Sequence, residues 1–142
     1  MHKVWAGEPL HGPALSVWPG TQGGPPIMLG AWRSERWINY AAKQCDGWIS
    51  SGIFSGWDDV AVGQKMYRDA GGKRALIANL VADFRDDVPE ATRRRKLSIS
   101  LVCTPAEGRD RLKRLADLGL DDALIVAPFD DADQLEIIRG LV

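Results

Sequence analysis

Two short apolar runs end in small residues: Pro25-Pro26-Ile27-Met28-Leu29-Gly30, continuing as Ala31-Trp32, and Asp46-Gly47-Trp48-Ile49-Ser50-Ser51-Gly52. Small residues let backbone N–H groups come close to a ligand, and Ser34 opens a helix whose N-terminus adds positive partial charge. An anion suits such an arrangement, and phosphate is the anion expected there. The competing reading is that Gly and Ala merely turn the chain tightly. Trp32, Phe54 and Trp57 fall on the loops beside these ends, where they either line a ring-binding pocket or pack the core. Trp48, within a strand, reads as core.

Other chemistry-bearing residues carry weaker signals. The acid pairs Asp58-Asp59, Asp86-Asp87, Asp121-Asp122 and Asp130-Asp131 are sequence neighbours and point apart, so they read as helix caps and solvated edges rather than acid–base dyads. Arg93-Arg94-Arg95-Lys96, flanked by acids and without interleaved aromatics, reads as a solvated face, with a phosphate clamp as the minority reading. His2 and His11 lie in a loop-like lead-in with no nucleophile in a triad context, and no metal site is expected. Cys45 and Cys103 form no CxxC and are expected as reduced thiols, Cys45 as a small core residue.

The elements that position these residues alternate. Residues 1–24, rich in Pro and Gly, read as an extended lead-in loop anchored by Trp5, Leu10, Leu15, Val17 and Trp18. From 25 to 142 the texture is strand and helix in turn. Ile27–Leu29 is a strand, and Ser34 to Cys45 is a helix with Trp37, Ile38, Ala41, Ala42 and Cys45 on its apolar stripe. Gly47–Ser51 is the second strand. A helix starts at Trp57-Asp58-Asp59, continues its stripe through Met66, Tyr67 and Ala70, and ends at Gly71-Gly72. Arg74–Phe84 is a third strand, and Leu97–Cys103 alternates like a short one. Thr104-Pro105-Ala106-Glu107 is a capping box opening a helix with Leu112, Leu115, Ala116 and Leu118 inward and Gly119 at its end. Asp122–Ala127 is a further strand stopped by Pro128. Asp130 or Asp131 caps a last helix, with Leu135, Ile138 and Leu141 inward.

Strands alternating with helices of this length argue for βαβ units and a parallel sheet, an α/β fold. With 142 residues and about four such units, the chain is about half of a closed eight-stranded barrel, which takes about 250 residues, or else a small open sheet. A net charge of −1 gives no pull toward nucleic acid or an anionic membrane surface. No apolar run reaches the roughly 18 residues of a spanning helix, and the first residues lack a secretory core, so a cytoplasmic location is expected.

The order of these motifs resembles the second half of the luciferase-like monooxygenases. The resemblance rests on PPIMLGAW, a helix with paired Ala near its end, DGWISSG, WDDVAVGQKMYRDAGG with RALIANLVADF, and CTPAEGRDRLKRLADLGLDDALIVAPF. It covers about residues 4–142. It implies a partial (β/α)8 barrel made of about four C-terminal βα units, and a flavin- or deazaflavin-dependent oxidoreductase. The cofactor implied is FMN or the deazaflavin coenzyme F-420, bound at the C-terminal strand face. It also implies that Gly30, Ala31, Gly47, Ser51 and Gly52 help to hold the cofactor phosphate. With the strand-end argument, the expected cofactor-binding set is Gly30, Ala31, Trp32, Gly47, Ser50, Ser51 and Gly52. The family's first half, which carries most ring and substrate contacts, has no counterpart here. Cys103 stands where the family has Gly before Thr-Pro. The expectation is a truncated or partial oxidoreductase acting on a small-molecule substrate with a complementing N-terminal half. The alternative is a non-catalytic half-barrel assembling as a homodimer, since uncovered strand edges invite pairing.

Overall fold

The computed structural model describes residues 2–9, 11–12, 24–85, 88, 99–127 and 131–141. The acid pair Asp86-Asp87, the basic run 93–96, the lead-in anchors Leu10, Leu15, Val17 and Trp18, and Pro128 and Asp130 lie outside these residues. Within the lead-in, a single helical turn α1 (His2–Trp5) forms where an extended loop was expected. Trp5 lies so close to Gly24 that a side chain there would enter its ring.

From residue 28 onward the strand–helix alternation forms as expected. Strand β1 (Met28–Gly30) is followed by α2 (Glu35–Gln44), β2 (Gly47–Ser51), α3 (Trp57–Asp69) and β3 (Ala75–Asp83). The short β4 (Leu101–Val102), α4 (Pro105–Asp117), β5 (Asp122–Val126) and α5 (Ala132–Arg139) complete the described chain. Every strand pairing is parallel. β1 pairs with β2, β2 with β3, and β3 with β5 on its other side, while β4 pairs with the end of β3 through Ala82 and Asp83. The result is a five-stranded parallel α/β sheet.

Helix ends explain the boundaries. Thr104 Oγ1 accepts from the Glu107 N–H at 3.3 Å and the Glu107 carboxylate accepts from the Thr104 N–H at 3.0 Å, the reciprocal box the four-residue motif announces. Asp131, not Asp130, caps α5 by accepting from the Gln134 N–H. Ser34 stands at the N-cap of α2 but its side chain makes no cap hydrogen bond. α3 ends at Gly71, whose φ of 90° is a left-handed conformation that glycine adopts without cost.

The core sits between one face of the sheet and the helices. Trp48 is fully buried against α3, where Gly63 leaves room for it: a Cβ there would stand 2.9 Å from the ring. Ile38, Ala41, Val60, Tyr67, Ile77, Leu80 and Leu115 fill the same layer. Three expected inward residues depart from their stripes. Trp37, Ala116 and Leu135 are exposed, because each lies on the flank of its helix rather than under it.

β3 holds one irregularity. Its register with β5 shifts between Ile77 and Leu80, and Asn79 has φ 58°. This is a β-bulge, built on one of the few residue types that tolerate the left-handed region. It brings Ile77, Leu80, Ala82 and Phe84 all onto the helix-covered face.

Candidate functional site

Parallel strands gather their C-terminal ends on one rim, and ligands of open or closed α/β sheets bind there. The structure brings Gly30, Ala31, Trp32, Ser50, Ser51 and Gly52 to that rim. It does not bring Gly47 there. Gly47 opens β2 at the opposite end, paired with Met28. A Cβ on it would collide with the Met28 side chain and stand 2.9 Å from the Arg74 carbonyl oxygen, so its smallness serves strand packing.

The backbone groups expected to grip phosphate are partly committed. The Ala31 N–H donates to the Ile49 carbonyl at 3.1 Å, and the Ala31 carbonyl accepts from the Trp48 indole N–H at 2.6 Å. The Gly52 N–H donates to the Ala78 carbonyl at 2.8 Å, while the Gly52 carbonyl accepts from the Ile99 N–H. A Cβ on Gly52 would lie 3.0 Å from two carbonyl oxygens, Asn79 and Ile99, so close backbone approach requires glycine here. Gly30 is different. It is exposed, and a Cβ on it would meet nothing within 4 Å, so the space beside it is open.

The two loops of this rim lock together. Trp32, after β1, and Phe54, after β2, stack with ring centroids 5.0 Å apart and an interplanar angle of 22°. Both are substantially exposed, at 42% and 54%. Arg33 reaches from the same β1–α2 loop to Asp59 at 3.2 Å. Asp59 also accepts from the Gly56 N–H at 2.9 Å, closing the first turn of α3. The Gly56 N–H above all, then Arg33, holds the Asp59 carboxyl below the usual carboxylate range. The positive end of α3 is thus met by the chain's own carboxylate. Trp57, the third loop aromatic, belongs to the packing. It lies against the core, with the Arg114 guanidinium 4.1 Å from its ring centre.

Beneath the rim, β2 and its following turn carry three serines. Ser51 Oγ accepts from the Phe54 N–H at 3.4 Å, which shapes the turn presenting Phe54. Ser50 and Ser55 are buried and their hydroxyl oxygens have no hydrogen-bond partner. Burial pushes both cysteine thiols upward, with Asp46 adding to the shift at Cys45. Both thiols are free, in keeping with unreactive reduced groups. Among the described residues no group of three or more His, Cys, Asp or Glu is arranged to hold a metal. No described helix is long and apolar enough to cross a membrane.

Arg33 and Asn79 escaped the reading of the residues. Arg33 follows Trp32 on an expected loop and was legible only as a surface cation. Asn79 was read as part of an unbroken strand, although Asn within an apolar strand run is itself a bulge signal.

No family model and no curated protein matches this chain.

Proposed function

We propose that this rim binds a phosphorylated planar-ring cofactor of the flavin class, FMN or the deazaflavin coenzyme F-420. In this reading the sheet is a segment of an eight-stranded α/β barrel and contributes cofactor binding to an oxidoreductase. The observation that carries the reading is the exposed Trp32–Phe54 stack on the C-terminal rim, with Arg33 beside it. A flat aromatic surface open to solvent offers stacking to a ring, and a guanidinium offers bidentate contact to a phosphate.

The residues present fit such a group with one revision. The open space at Gly30 admits it, and Trp32 and Phe54 are the ring surface. With the Ala31 and Gly52 amides engaged in the sheet, Arg33 takes the phosphate, exchanging Asp59 for the ligand. When bound, the cofactor supplies hydride transfer or oxygen chemistry to a small-molecule substrate. The chain's own groups bind and orient it: Ser51 fixes the turn carrying Phe54, and Trp48 fixes Ala31 beneath Trp32.

Titration of purified protein with FMN and with F-420, read by cofactor fluorescence and protein tryptophan emission, tests this. Quenching of both signals with saturation is expected for at least one cofactor, because stacking on Trp32 couples the two rings. Linear, unsaturated responses to both overturn the reading.

A further inference from the structure

The bulge in β3 needs a positive φ at one residue, and glycine meets that need at least cost. Asparagine stands there instead, with Asn79 at φ 58°. Ile77 and Leu80, to either side, are fully buried on the helix-covered face. Asn79 is exposed, so its carboxamide stands on the uncovered face of the sheet. An asparagine in this conformation is commonly steadied by a local side-chain hydrogen bond. Among the described residues the Asn79 carboxamide has no such partner. Alternation along β2 and β3 sets Ile49, Leu76, Ala78 and Val81 around it on the same face. A polar group set into an apolar surface is the usual means by which a ligand site fixes orientation.

The bulge lies where the rim is built. β2 ends its pairing with β3 at Ser51, opposite Ala78. The Gly52 N–H still donates to the Ala78 carbonyl, and the chain then swings away toward Phe54. The Ile99 N–H donates to the Gly52 carbonyl, and β4 continues in the vacated lane beside Ala82 and Asp83. A Cβ on Gly52 would stand 3.0 Å from the carbonyl oxygens of both Asn79 and Ile99. Asn79 is therefore one strand over from the turn that presents Phe54. It is two strands over from β1, which leads to Trp32. With strands about 4.8 Å apart, the lateral span from β1 to Asn79 is about 10 Å. A fused three-ring system laid across Trp32 and Phe54 reaches that far.

Resting on the flavin-class reading of this rim, we propose that Asn79 reads the polar edge of the cofactor ring. That edge is the pyrimidinedione end that FMN and F-420 share, an imide N–H between two carbonyl oxygens. A carboxamide matches it: Asn79 Oδ1 accepts from the ring N3–H, and Asn79 Nδ2 donates to a flanking carbonyl. The pair of hydrogen bonds fixes which end of the tricycle points toward β3, while Arg33 holds the phosphate on the β1 side. Asparagine thus keeps the left-handed conformation and adds a contact that glycine lacks. The amide treats FMN and F-420 alike. It rejects a ring whose imide is blocked, because its own polar groups are then left unpaired.

Fluorescence titration of the purified protein tests this. The cofactor that binds, FMN or F-420, is compared with its N3-methyl derivative. The parent ring should bind at least about tenfold tighter than the methylated one. Asn79→Gly preserves the positive φ and removes the carboxamide, so far-UV circular dichroism should be unchanged. It should weaken cofactor binding about tenfold and erase the preference over the methylated ring. Asn79→Asp, which also tolerates the left-handed region, should weaken binding as well, since a carboxylate repels the ring carbonyl. Equal binding of the two rings by the unaltered protein overturns this inference and leaves the cofactor reading standing, whatever the variants do. A preference that survives in Asn79→Gly does the same. No saturable binding of either FMN or F-420 overturns both.

Discussion

Trp32 and Phe54, on separate loops, lie with their rings nearly parallel at 5.0 Å, and each is held from below by a hydrogen bond inside the sheet end. Trp32 follows Ala31, whose carbonyl is bound to the Trp48 indole, and Phe54 donates its N–H to Ser51 Oγ. The pair is therefore a pre-set surface rather than two independent side chains. Phe54→Ala should shift tryptophan emission to the red by uncovering Trp32. Trp32→Ala or Phe54→Ala should weaken FMN or F-420 binding by about tenfold, in line with roughly 1 kcal/mol for an aromatic stack. Affinity unchanged in both variants would remove this surface from the site.

Gly63 is the position where a single methyl group does most harm. Its Cβ would stand 2.9 Å from the Trp48 ring, and that ring cannot retreat because its indole N–H is bound to Ala31. Gly63→Ala should cost about 1–3 kcal/mol in urea denaturation, the usual range for overpacking a filled core. Part of that strain should reach the rim through Ala31, so near-UV circular dichroism should change as well. A variant as stable as the parent would show that α3 can shift freely over the sheet.

Asp121 ties three elements: it accepts from the Ala75 N–H and from Arg68, each at 2.8 Å. Desolvation acts to raise its pKa, but the Ala75 N–H and Arg68, with Arg74 nearby, outweigh it and hold the carboxyl below its ordinary value. A depressed folded value means its contribution is complete above the unfolded carboxylate range, about 4, and is lost as pH falls through the folded value. Stability measured from pH 7 down to 2 should fall on that limb, with Asp59 and Glu107 contributing in the same direction. Asp121→Asn should flatten the fall. An identical acid profile in the variant would assign the limb to other groups.

Removing the N-cap of α4 tests the clearest local motif. Thr104→Ala deletes the acceptor for the Glu107 N–H and should cost about 1 kcal/mol, while Thr104→Ser should retain most of it. Thermal unfolding of the two variants side by side checks this, and equal melting temperatures would contradict it.

What was legible in the residues follows from the range of the forces involved. The box at Thr104–Glu107, the glycine stop at Gly71 and the strand–helix alternation are set by neighbours within four or five positions, and all of them formed. Gly47 and Gly52 were read as making room for a ligand. The smallness of Gly47 instead makes room for the Met28 side chain and the Arg74 carbonyl, and that of Gly52 for the Asn79 and Ile99 carbonyls, contacts which no local pattern reveals. The outward turn of Trp37 and Leu135 was hidden for the same reason. A helical stripe tells which side is apolar, but the width of sheet beneath decides how much of that stripe is covered.

One backbone angle has a reach far beyond its own residue. Had Asn79 kept an ordinary extended conformation, every later position in β3 would have swapped sides. Phe84, which now rests against Gly108 and Leu141, would be thrown into solvent. Asp83, which now pairs with Arg85 at 2.7 Å, would be driven among the helices, a charged group in an apolar layer. A single asparagine thus acts as a reading-frame correction for the strand, and losing it would scramble which chemistry the terminal third of β3 presents to each side.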